Sequence, residues 1–340
     1  MLVVCSTNDF LEAVLKTIIK DIFVLLLLTA SANAFALEKL DKLRLTGPKA
    51  PVTLPLAYII EAGLLDGHVE KIELVIWKNP DQLRSLILGG QAHFAAAPSH
   101  VAATLHNKGV PLKLLNISVW GDYWIISNDP SVESFEDLKN QRVAVPYRNG
   151  TPSTVFRLLA EKLNIDPEND LTIKHMPNFI AALQEVSSGR VNHAFLSEPH
   201  ASLSVLKTKH KKNKLYKSIN VAQQWGEAHN SSPRISRAGM VALPSITART
   251  DIVNAFQSAY KQSVNWCNDH PEEAGRLANK YIPGFKEKAV SMALKSGSLD
   301  FKSALDSRDD IEHFYTVLLS NNPKKIGGKL PVDSFYFIGK

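Results

Sequence analysis

Cysteine is nearly absent from this 340-residue sequence, which contains only Cys5 and Cys267. The two residues lie far apart and share no motif, so neither a cysteine metal cluster nor a cysteine–histidine nucleophile is supported. The sequence also lacks the GxSxG pattern of hydrolases and the HExxH pattern of zinc proteases. We therefore expect no enzymatic activity, no metal site and no cofactor.

The apolar run Ile22–Thr29 is too short to span a bilayer, which requires about 20 residues. Two lysines precede the run, and small residues follow it, with Ala34 and Ala36 each ending an A-x-A pattern. This order predicts a secretory signal peptide over residues 1–36, cleaved near Ala34–Ala36, and a periplasmic location. An uncleaved anchor is the alternative. Because Cys5 would be removed by cleavage, the mature chain cannot form an internal disulfide.

Acidic residues are in the minority, since 39 Lys and Arg against 33 Asp and Glu give a formal net charge of +6. A basic balance can favour small anionic ligands. The run Lys207–Lys214 (KTKHKKNK) carries much of the excess, and we interpret it as a solvated loop or helix end. It has no interleaved aromatic residues, so no nucleic-acid partner is expected. The length of the chain favours two domains over one core.

Strand-like and helix-like segments alternate from Leu43 onward, and a Gly or Pro often marks the boundary between them. The predicted strands contain Leu43–Leu45, Ile72–Trp77, His93–Ala97, Leu112–Val119, Arg142–Pro146, Leu171–His175, Val191–Leu196, Tyr216–Val221 and Arg237–Leu243. After Thr250 we expect only helices and loops. This alternation predicts an α/β fold with mainly parallel sheets that are covered on both faces.

A short internal echo supports two similarly built halves. The segment from Leu88 to Pro98 and the segment from Ser188 to Pro199 each read as a helix end, a Gly stop and a buried strand. Aligning Gly90 with Gly189 pairs the two strands, and His93 then corresponds to Asn192. The echo predicts two lobes that share one plan.

With these segments in order, the chain resembles the solute-binding proteins of nitrate, sulfonate and taurine ABC transporters, and also the thiamine-pyrimidine precursor synthases. The resemblance is carried by LRLTGPKAP, by FAAAP, by KGVP before a strand, by FEDLK before RVAVP, and by LSEP at Leu196–Pro199. The sequence departs from the family at His93 and Asn192, where the family usually has Asp. It also lacks the cysteine-rich motif of the synthases.

The resemblance implies a type II periplasmic-binding-protein fold with a hinge of two crossovers, near Tyr123–Asn128 and Ser236–Met240. Lobe one would comprise residues 37–125 and 236–340, and lobe two residues 126–235. The protein would act as a monomer that closes on a small-molecule ligand and delivers it to the membrane permease of an ABC transporter. A precursor-synthase-like enzyme and a ligand-sensing subunit on the same fold are the alternatives.

Ligands of open α/β sheets bind at the carboxyl ends of strands, where five loops qualify. A glycine in these loops would let the backbone approach a ligand closely. Helix N-termini and a lysine would suit an anion, and hydroxyl and amide side chains could form hydrogen bonds to the ligand. Each group has a structural alternative as a helix cap or a solvated side chain. Trp120, an aromatic residue near the crossover, is a further candidate. The candidate ligand-binding residues are then Thr46, Gly47, Lys49, Ser99, Trp120, Asn149, Thr151, Ser153, Asn178 and Glu198.

The ligand itself remains open on sequence grounds. Lys49 and the helix N-termini favour an oxyanion such as a sulfonate, whereas Glu198 and the aromatic residues favour an amino-bearing planar molecule such as a pyrimidine. His100 and His200 occupy corresponding loops of the two halves and could together with Glu198 hold a metal. Two surface histidines are the interpretation we prefer.

Overall fold

The computed structural model describes residues 15–17, 20, 38–148 and 150–339. The expected signal peptide, including its cleavage region at Ala34–Ala36, lies outside the described residues. The chain divides into two units, Met1–Leu40 and Asp41–Lys340, and the second unit contains both large sheets. Within the described ranges, no helix combines the length and the hydropathy needed to cross a bilayer.

Strands and helices alternate through the first three quarters of the second unit, and helices dominate the last quarter. The strands are β1 (Leu43–Gly47), β2 (Ile72–Ile76), β3 (Phe94–Pro98), β4 (Lys113–Leu114), β5 (Asn116–Ile117), β6 (Val119–Trp120), β7 (Tyr123–Ser127), β8 (Arg142–Pro146), β9 (Thr172–Met176), β10 (His193–Ser197), β11 (Tyr216–Asn220), β12 (Ser236–Ala242) and β13 (Lys302–Ser303). The α-helices are α1 (Leu54–Glu61), α2 (Pro80–Leu88), α3 (Ser99–Asn107), α4 (Thr151–Lys162), α5 (Phe179–Ser187), α6 (His200–Thr208), α7 (Val221–His229), α8 (Thr250–Asp269), α9 (Pro271–Tyr281), α10 (Glu287–Lys295) and α11 (Arg308–Asn321). Short 3-10 helices cover Pro51–Thr53, Phe135–Leu138, Pro323–Ile326 and Asp333–Phe335.

Most of the strands form two mixed sheets, and β13 pairs with β5 in a separate two-stranded sheet. The first has the order β2-β1-β3-β12-β4, with β6 also paired to β12. The second has the order β11-β7-β10-β8-β9. In the first sheet β1 is parallel to β2 and β3, whereas β12 is antiparallel to its neighbours. In the second sheet β8 is parallel to β9 and β10, whereas β7 is antiparallel to β10 and β11.

The α/β class is confirmed, but the sheets are less parallel than expected. The parallel pairs are those joined by a helix crossover, as the sequence pattern predicts. The antiparallel pairs involve β7 and β12, the two strands that follow a passage of the chain from one sheet to the other. The region near Tyr123, which we expected to be a bare crossover, is therefore a full strand of the second sheet.

Other differences are local. The single strand expected over Leu112–Val119 consists of three two-residue strands, and β13 interrupts the region after Thr250 where only helices and loops were expected. In both places the pairs are too short to produce a sequence pattern. A capping box formed by Ser134 and Asp137 begins the 3-10 helix Phe135–Leu138.

Burial follows the position of each strand in its sheet. Every residue of the central strand β10 is buried, whereas the edge strand β9 is at most half-buried. Both central strands β3 and β10 are rich in Ala and Phe, which fit beneath helices on both faces. This packing fixes the carboxyl ends of β3, β8 and β10, where the helices α3, α4 and α6 begin.

Candidate ligand-binding site

Two helix N-termini, one from each sheet, meet at the seam between the sheets. The Thr151 hydroxyl at the start of α4 lies 3.1 Å from Nε2 of His100, in the first turn of α3. Helix α3 follows β3 of the first sheet, and α4 follows β8 of the second. The first N–H groups of a helix have no partner within it, so two sets of donors and two positive dipole ends lie close together.

An aromatic cluster centred on Phe179 lines the second-sheet side of this seam. The ring of Phe179, the first residue of α5, stacks on His200 with 5.5 Å between centroids. Tyr147 meets Phe179 edge-to-face at 5.5 Å, and Tyr123 lies 6.5 Å away. Tyr147 is 42% exposed and has a positive φ of 55°, so its ring extends from the loop that leads into α4. These rings can hold the organic part of a small ligand.

A buried cation completes the cluster. The Arg237 guanidinium lies 4.5 Å from the centre of the Tyr123 ring and pairs with the Asp122 carboxylate. Burial lowers the pKa of Arg237 to about 9, which still leaves it charged at neutral pH. The second carboxylate oxygen of Asp122, Oδ2, is buried and has no hydrogen-bond partner within the described part of the chain. The carboxylate therefore has an oxygen that can accept a further hydrogen bond.

Two histidines on opposite sides of the seam are neutral. Burial lowers the pKa of His100 to about 3, and the positive charges of Lys325 and Arg84 act in the same direction. Burial also lowers the pKa of His200 to about 4. A neutral imidazole offers one donor and one acceptor. In the described ranges, Nδ1 of His200 is buried without a partner and so remains available.

Beside the aromatic cluster lies an open depression of about 530 Å³. It is lined by Tyr147, Arg148, Gly150, His175, Met176 and Pro177. The pKa of His175 is lowered, first by burial and then by the charges of Arg148 and Arg157. Tyr147 belongs both to the aromatic cluster and to the lining of the depression, so the depression lies on the solvent side of the cluster.

The structure assigns most of the predicted residues of the first sheet to structural roles. The Thr46 hydroxyl donates to the carbonyl of Val75 at 2.8 Å, and Gly47 ends β1. Lys49 is exposed beside Gly284, with no ion pair among the residues described. The buried Ser99 hydroxyl donates to the carbonyl of Ser236, so it anchors α3 to β12, and Pro98 rather than Ser99 occupies the N-cap.

The remaining predicted residue of the first sheet, Trp120, lies between cations. Its Nε1 donates to the Asp300 carbonyl at 2.8 Å, and the Arg234 guanidinium lies 4.9 Å from the ring centre. Arg234 also pairs with the Asp300 carboxylate. These contacts hold Trp120 against the C-terminal region.

Among the predicted residues of the second sheet, the structure brings Thr151 to the seam and gives Asn178 and Glu198 local partners. Asn178 is the N-cap of α5, and its side chain accepts from the Ala181 amide at 2.9 Å. The buried Glu198 carboxylate accepts from the Lys217 ammonium and from the amide and hydroxyl of Ser202.

Two further predicted residues flank Thr151. Ser153, in the first turn of α4, is buried, and its hydroxyl has no hydrogen-bond partner within the ranges that the structure covers. Asn149 lies outside the described residues. The α4 N-terminus thus retains an unused hydroxyl in addition to the free backbone N–H groups with which a helix start binds an anion.

Sequence reasoning missed Arg237 and Asp122. The only signals available were single charges beside apolar strands, Arg237 before AGMVAL and Asp122 within WGDYW. Nothing in the sequence shows that the two segments meet. His100 and His200 were considered as metal ligands, but the described residues contain no group of three or more His, Cys, Asp or Glu side chains that could hold a metal ion.

Comparison with known proteins gives a family. Residues 54–287 match the family model described as the phosphonate periplasmic substrate-binding protein of ABC transporters. No curated protein matches the sequence. The matched residues include every strand of the two large sheets except β1, and they include His100 and Thr151 at the seam.

Solved structures share the fold. An ABC transporter protein from Parabacteroides distasonis is 20% identical with a TM-score of 0.73, and the alignment covers 89% of this chain and 100% of that one. The periplasmic aliphatic sulphonate binding protein SsuA from Escherichia coli is 14% identical, with a TM-score of 0.68 and coverage of 88% and 93%. The periplasmic nitrate-binding protein NrtA from Synechocystis PCC 6803 is 13% identical, with a TM-score of 0.62 and coverage of 84% of each chain.

Proposed function

The chain belongs to the family of periplasmic substrate-binding proteins of phosphonate ABC transporters, and we propose that it captures a small organic oxyanion, such as a phosphonate or sulfonate, at the seam between its two sheets. It is the substrate-binding component of an ABC import system, which delivers its ligand to a membrane permease. The oxyanion class and the residues that bind it are the proposed part.

The observation that carries the ligand class is the buried Arg237 beside Asp122. A guanidinium presents a planar fork of donors that fits the oxygens of an oxyanion. In a partly desolvated site, a hydrogen bond to a charged group is stronger than one between neutral groups. The N-termini of α3 and α4 add backbone donors, and the aromatic cluster around Phe179 accommodates the organic substituent.

A planar amino-bearing ligand loses its main support. Glu198 was the acceptor that favoured an amine, but its carboxylate is buried and already accepts from Lys217 and Ser202. Lys49, which favoured the oxyanion, is exposed on its loop and contributes no more than a peripheral charge. The oxyanion class therefore rests on Arg237 and the helix N-termini.

We further propose two lobes, expected from the sequence over residues 37–125 with 236–340 and over residues 126–235. Because β7 (Tyr123–Ser127) pairs entirely within the second sheet, we place the first boundary at Asp122. The two crossovers, at Gly121–Asp122 and at Pro233–Ile235, would be the hinge. Gly121 has a positive φ of 73°, which disfavours any side chain there, and a Cβ would lie 3.1 Å from the Cβ atoms of Ala222 in α7 and Ile235 in the second crossover. The contact between Thr151 and His100 would belong to the closed arrangement of the lobes, in which the ligand is enclosed.

The proposal also covers export of the protein, its oligomeric state and the absence of catalysis. The signal peptide of residues 1–36 would be cleaved near Ala34–Ala36 on export to the periplasm. The mature protein would act as a monomer that binds no nucleic acid and releases its ligand unchanged. Mass spectrometry of protein recovered from the periplasm checks the first point, because a mature N-terminus upstream of Ala34 would contradict it.

Thermal-shift screening of protein stripped of bound ligand tests the ligand class. The panel contains methylphosphonate, ethanesulfonate, taurine, nitrate and a thiamine precursor. Binding to the native state alone raises the melting temperature with ligand concentration. We expect a phosphonate or a sulfonate to raise the melting temperature most, with the compound recovered intact. A response confined to the thiamine precursor, or conversion of any compound, would overturn the proposal.

A further inference from the structure

A lysine-rich segment lies far from the ligand site. The run Lys207–Lys214, called the lysine loop below, contains five lysines, and it begins at the C-terminal end of α6 and continues into the loop before β11. All five lysines are exposed. The segment is anchored at its base, because Thr208 accepts from the Leu215 amide at 3.1 Å and Asn213 donates to the Val186 carbonyl at 3.4 Å.

The lysine loop and the ligand site are at opposite ends of α6 and of the second sheet. Helix α6 starts at His200 in the site and runs for nine residues, which at 1.5 Å per residue is about 13 Å. In the second sheet, Ser197 of β10 pairs with Tyr123 at the site, while His193 pairs with Ser127 at the far end. Tyr216, which follows the loop, also pairs with Ser127. A partner bound at the loop would leave the site open.

The charge of the lysine loop is uncompensated within the described part of the chain. None of its five lysines forms an ion pair there, and the one contact recorded is that of Lys214 with the Tyr216 ring, at 5.0 Å. Nearby, the cations Lys174 and Arg190 share a single carboxylate, Glu185. Exposed like charges repel one another, so such a cluster is electrostatically costly unless an anionic partner binds it.

The side-chain chemistry of the lysine loop points to a diffuse anionic surface. Its cations are all lysines, which are flexible point charges, with no arginine to make planar two-point contacts. It contains no exposed large apolar side chain of the kind that anchors protein interfaces. Clusters of about four to eight Lys or Arg beside a membrane-spanning helix or on an amphipathic helix bind anionic lipid headgroups, and the lysine loop has a comparable number of charges. We propose that the lysine loop holds the protein at an anionic phospholipid surface.

Such binding would be useful to a component that hands its ligand to a membrane protein. Reversible electrostatic adsorption confines the protein to a thin layer at the bilayer and raises its effective concentration near a permease. The position of the loop at the end of the second sheet away from His200 leaves the ligand site accessible while the protein is adsorbed. This inference does not depend on which oxyanion the site binds.

Vesicle co-sedimentation of the full chain tests the proposal. The probes are phosphatidylcholine vesicles with and without phosphatidylglycerol, and the neutral vesicles report any contribution from the apolar run Ile22–Thr29. We expect wild-type protein to partition at least about tenfold more strongly onto anionic vesicles, since each lysine near such a surface contributes about 1 kcal/mol. In 1 M salt the Debye length falls to about 3 Å, so this preference should disappear.

A matched pair of variants locates the effect. The variant K207Q/K209Q/K211Q/K212Q should lose most of the preference for anionic vesicles. The control K78Q/K108Q/K288Q/K329Q removes the same charge from four exposed lysines elsewhere and should retain it. Circular dichroism checks that both fold. Equal partitioning of wild-type protein onto both kinds of vesicle, or an equal loss in both variants, would overturn the proposal and would leave the ligand assignment untouched.

Discussion

The guanidinium of Arg237 pairs with the carboxylate of Asp122, which joins the two segments through which the chain passes between its sheets. Asp122 immediately precedes β7, and Arg237 is the second residue of β12. Only 1% of the Asp122 side chain and 15% of the Arg237 side chain are exposed. A charge pair at the proposed hinge therefore also supplies the cation of the proposed ligand site.

The variant Asp122→Asn tests this double role. Loss of the carboxylate leaves the buried guanidinium unpaired, which typically costs about 3–5 kcal/mol. A bound oxyanion would supply the missing negative charge. We therefore expect a large drop in the melting temperature of the ligand-free variant and partial recovery with saturating oxyanion, measured by calorimetry. If the melting temperature falls by the same amount with and without ligand, Arg237 does not contact the ligand.

The contact between Thr151 and His100 should contribute to ligand affinity. Thr151→Val keeps the shape of the side chain and removes the hydroxyl that lies 3.1 Å from Nε2 of His100. A neutral hydrogen bond contributes about 1 kcal/mol, so the dissociation constant should rise about fivefold. Thr154→Val is the matched control, since that hydroxyl bonds only the Gly150 carbonyl within the same turn. An equal weakening by both variants would contradict a role for the seam.

The buried histidines predict a loss of stability in mild acid. The pKa of His200 is lowered to about 4 by burial, whereas an unfolded histidine titrates near 6.5. Between these values the unfolded chain binds a proton that the folded chain does not. Stability is therefore full above about pH 6.5 and falls by up to about 1.4 kcal/mol per pH unit below it.

His200→Gln should flatten this pH dependence when unfolding is followed by denaturant titration at pH 7, 6 and 5. His68→Gln, at an exposed residue, is the control and should leave the dependence as in wild type. His100 contributes in the same direction because its pKa is lowered to about 3, so His200→Gln removes only part of the slope. An unchanged slope in His200→Gln would show that His200 is not the group responsible.

The Glu198–Lys217 pair should affect stability and not ligand affinity. The Glu198 side chain is 1% exposed and that of Lys217 is 17% exposed. Glu198→Gln strands the lysine and should destabilise the protein by about 3–5 kcal/mol, while Glu198→Gln with Lys217→Met should recover much of the loss. Isothermal titration should give the wild-type dissociation constant for each folded variant. A tenfold weaker affinity in the double variant would show that Glu198 takes part in ligand binding.

The sequence was sufficient for the elements with strong local signals. The strand FAAAP with its Gly stop and the strand RVAVP both occur as predicted. Each of these depends on interactions within a few residues, so a local pattern determines it. Thr151 could be predicted as a site residue for the same reason, since local residues indicate where a helix begins.

What the sequence could not predict depends on contacts between distant segments. Asp122 and Arg237 are 115 positions apart, and only the folded chain brings them together. Glu198 looked available because its partner Lys217 lies 19 positions away on β11, and Ser99 looked like a cap because its acceptor at Ser236 lies 137 positions away on the neighbouring strand β12. The antiparallel orientation of β7 in the second sheet and of β12 in the first likewise follows from the chain passing between the sheets.

Calorimetric titration of ligand-stripped protein with the best oxyanion of the panel tests the central claim most directly. Wild-type protein is compared with the double variant Arg237→Gln with Asp122→Asn, in which a neutral amide pair replaces the buried ion pair and avoids a lone charge. A hydrogen bond to a charged group contributes about 1.5–3 kcal/mol, so the account predicts an affinity about ten- to a hundredfold weaker in the folded double variant. Wild-type affinity in that variant would contradict it.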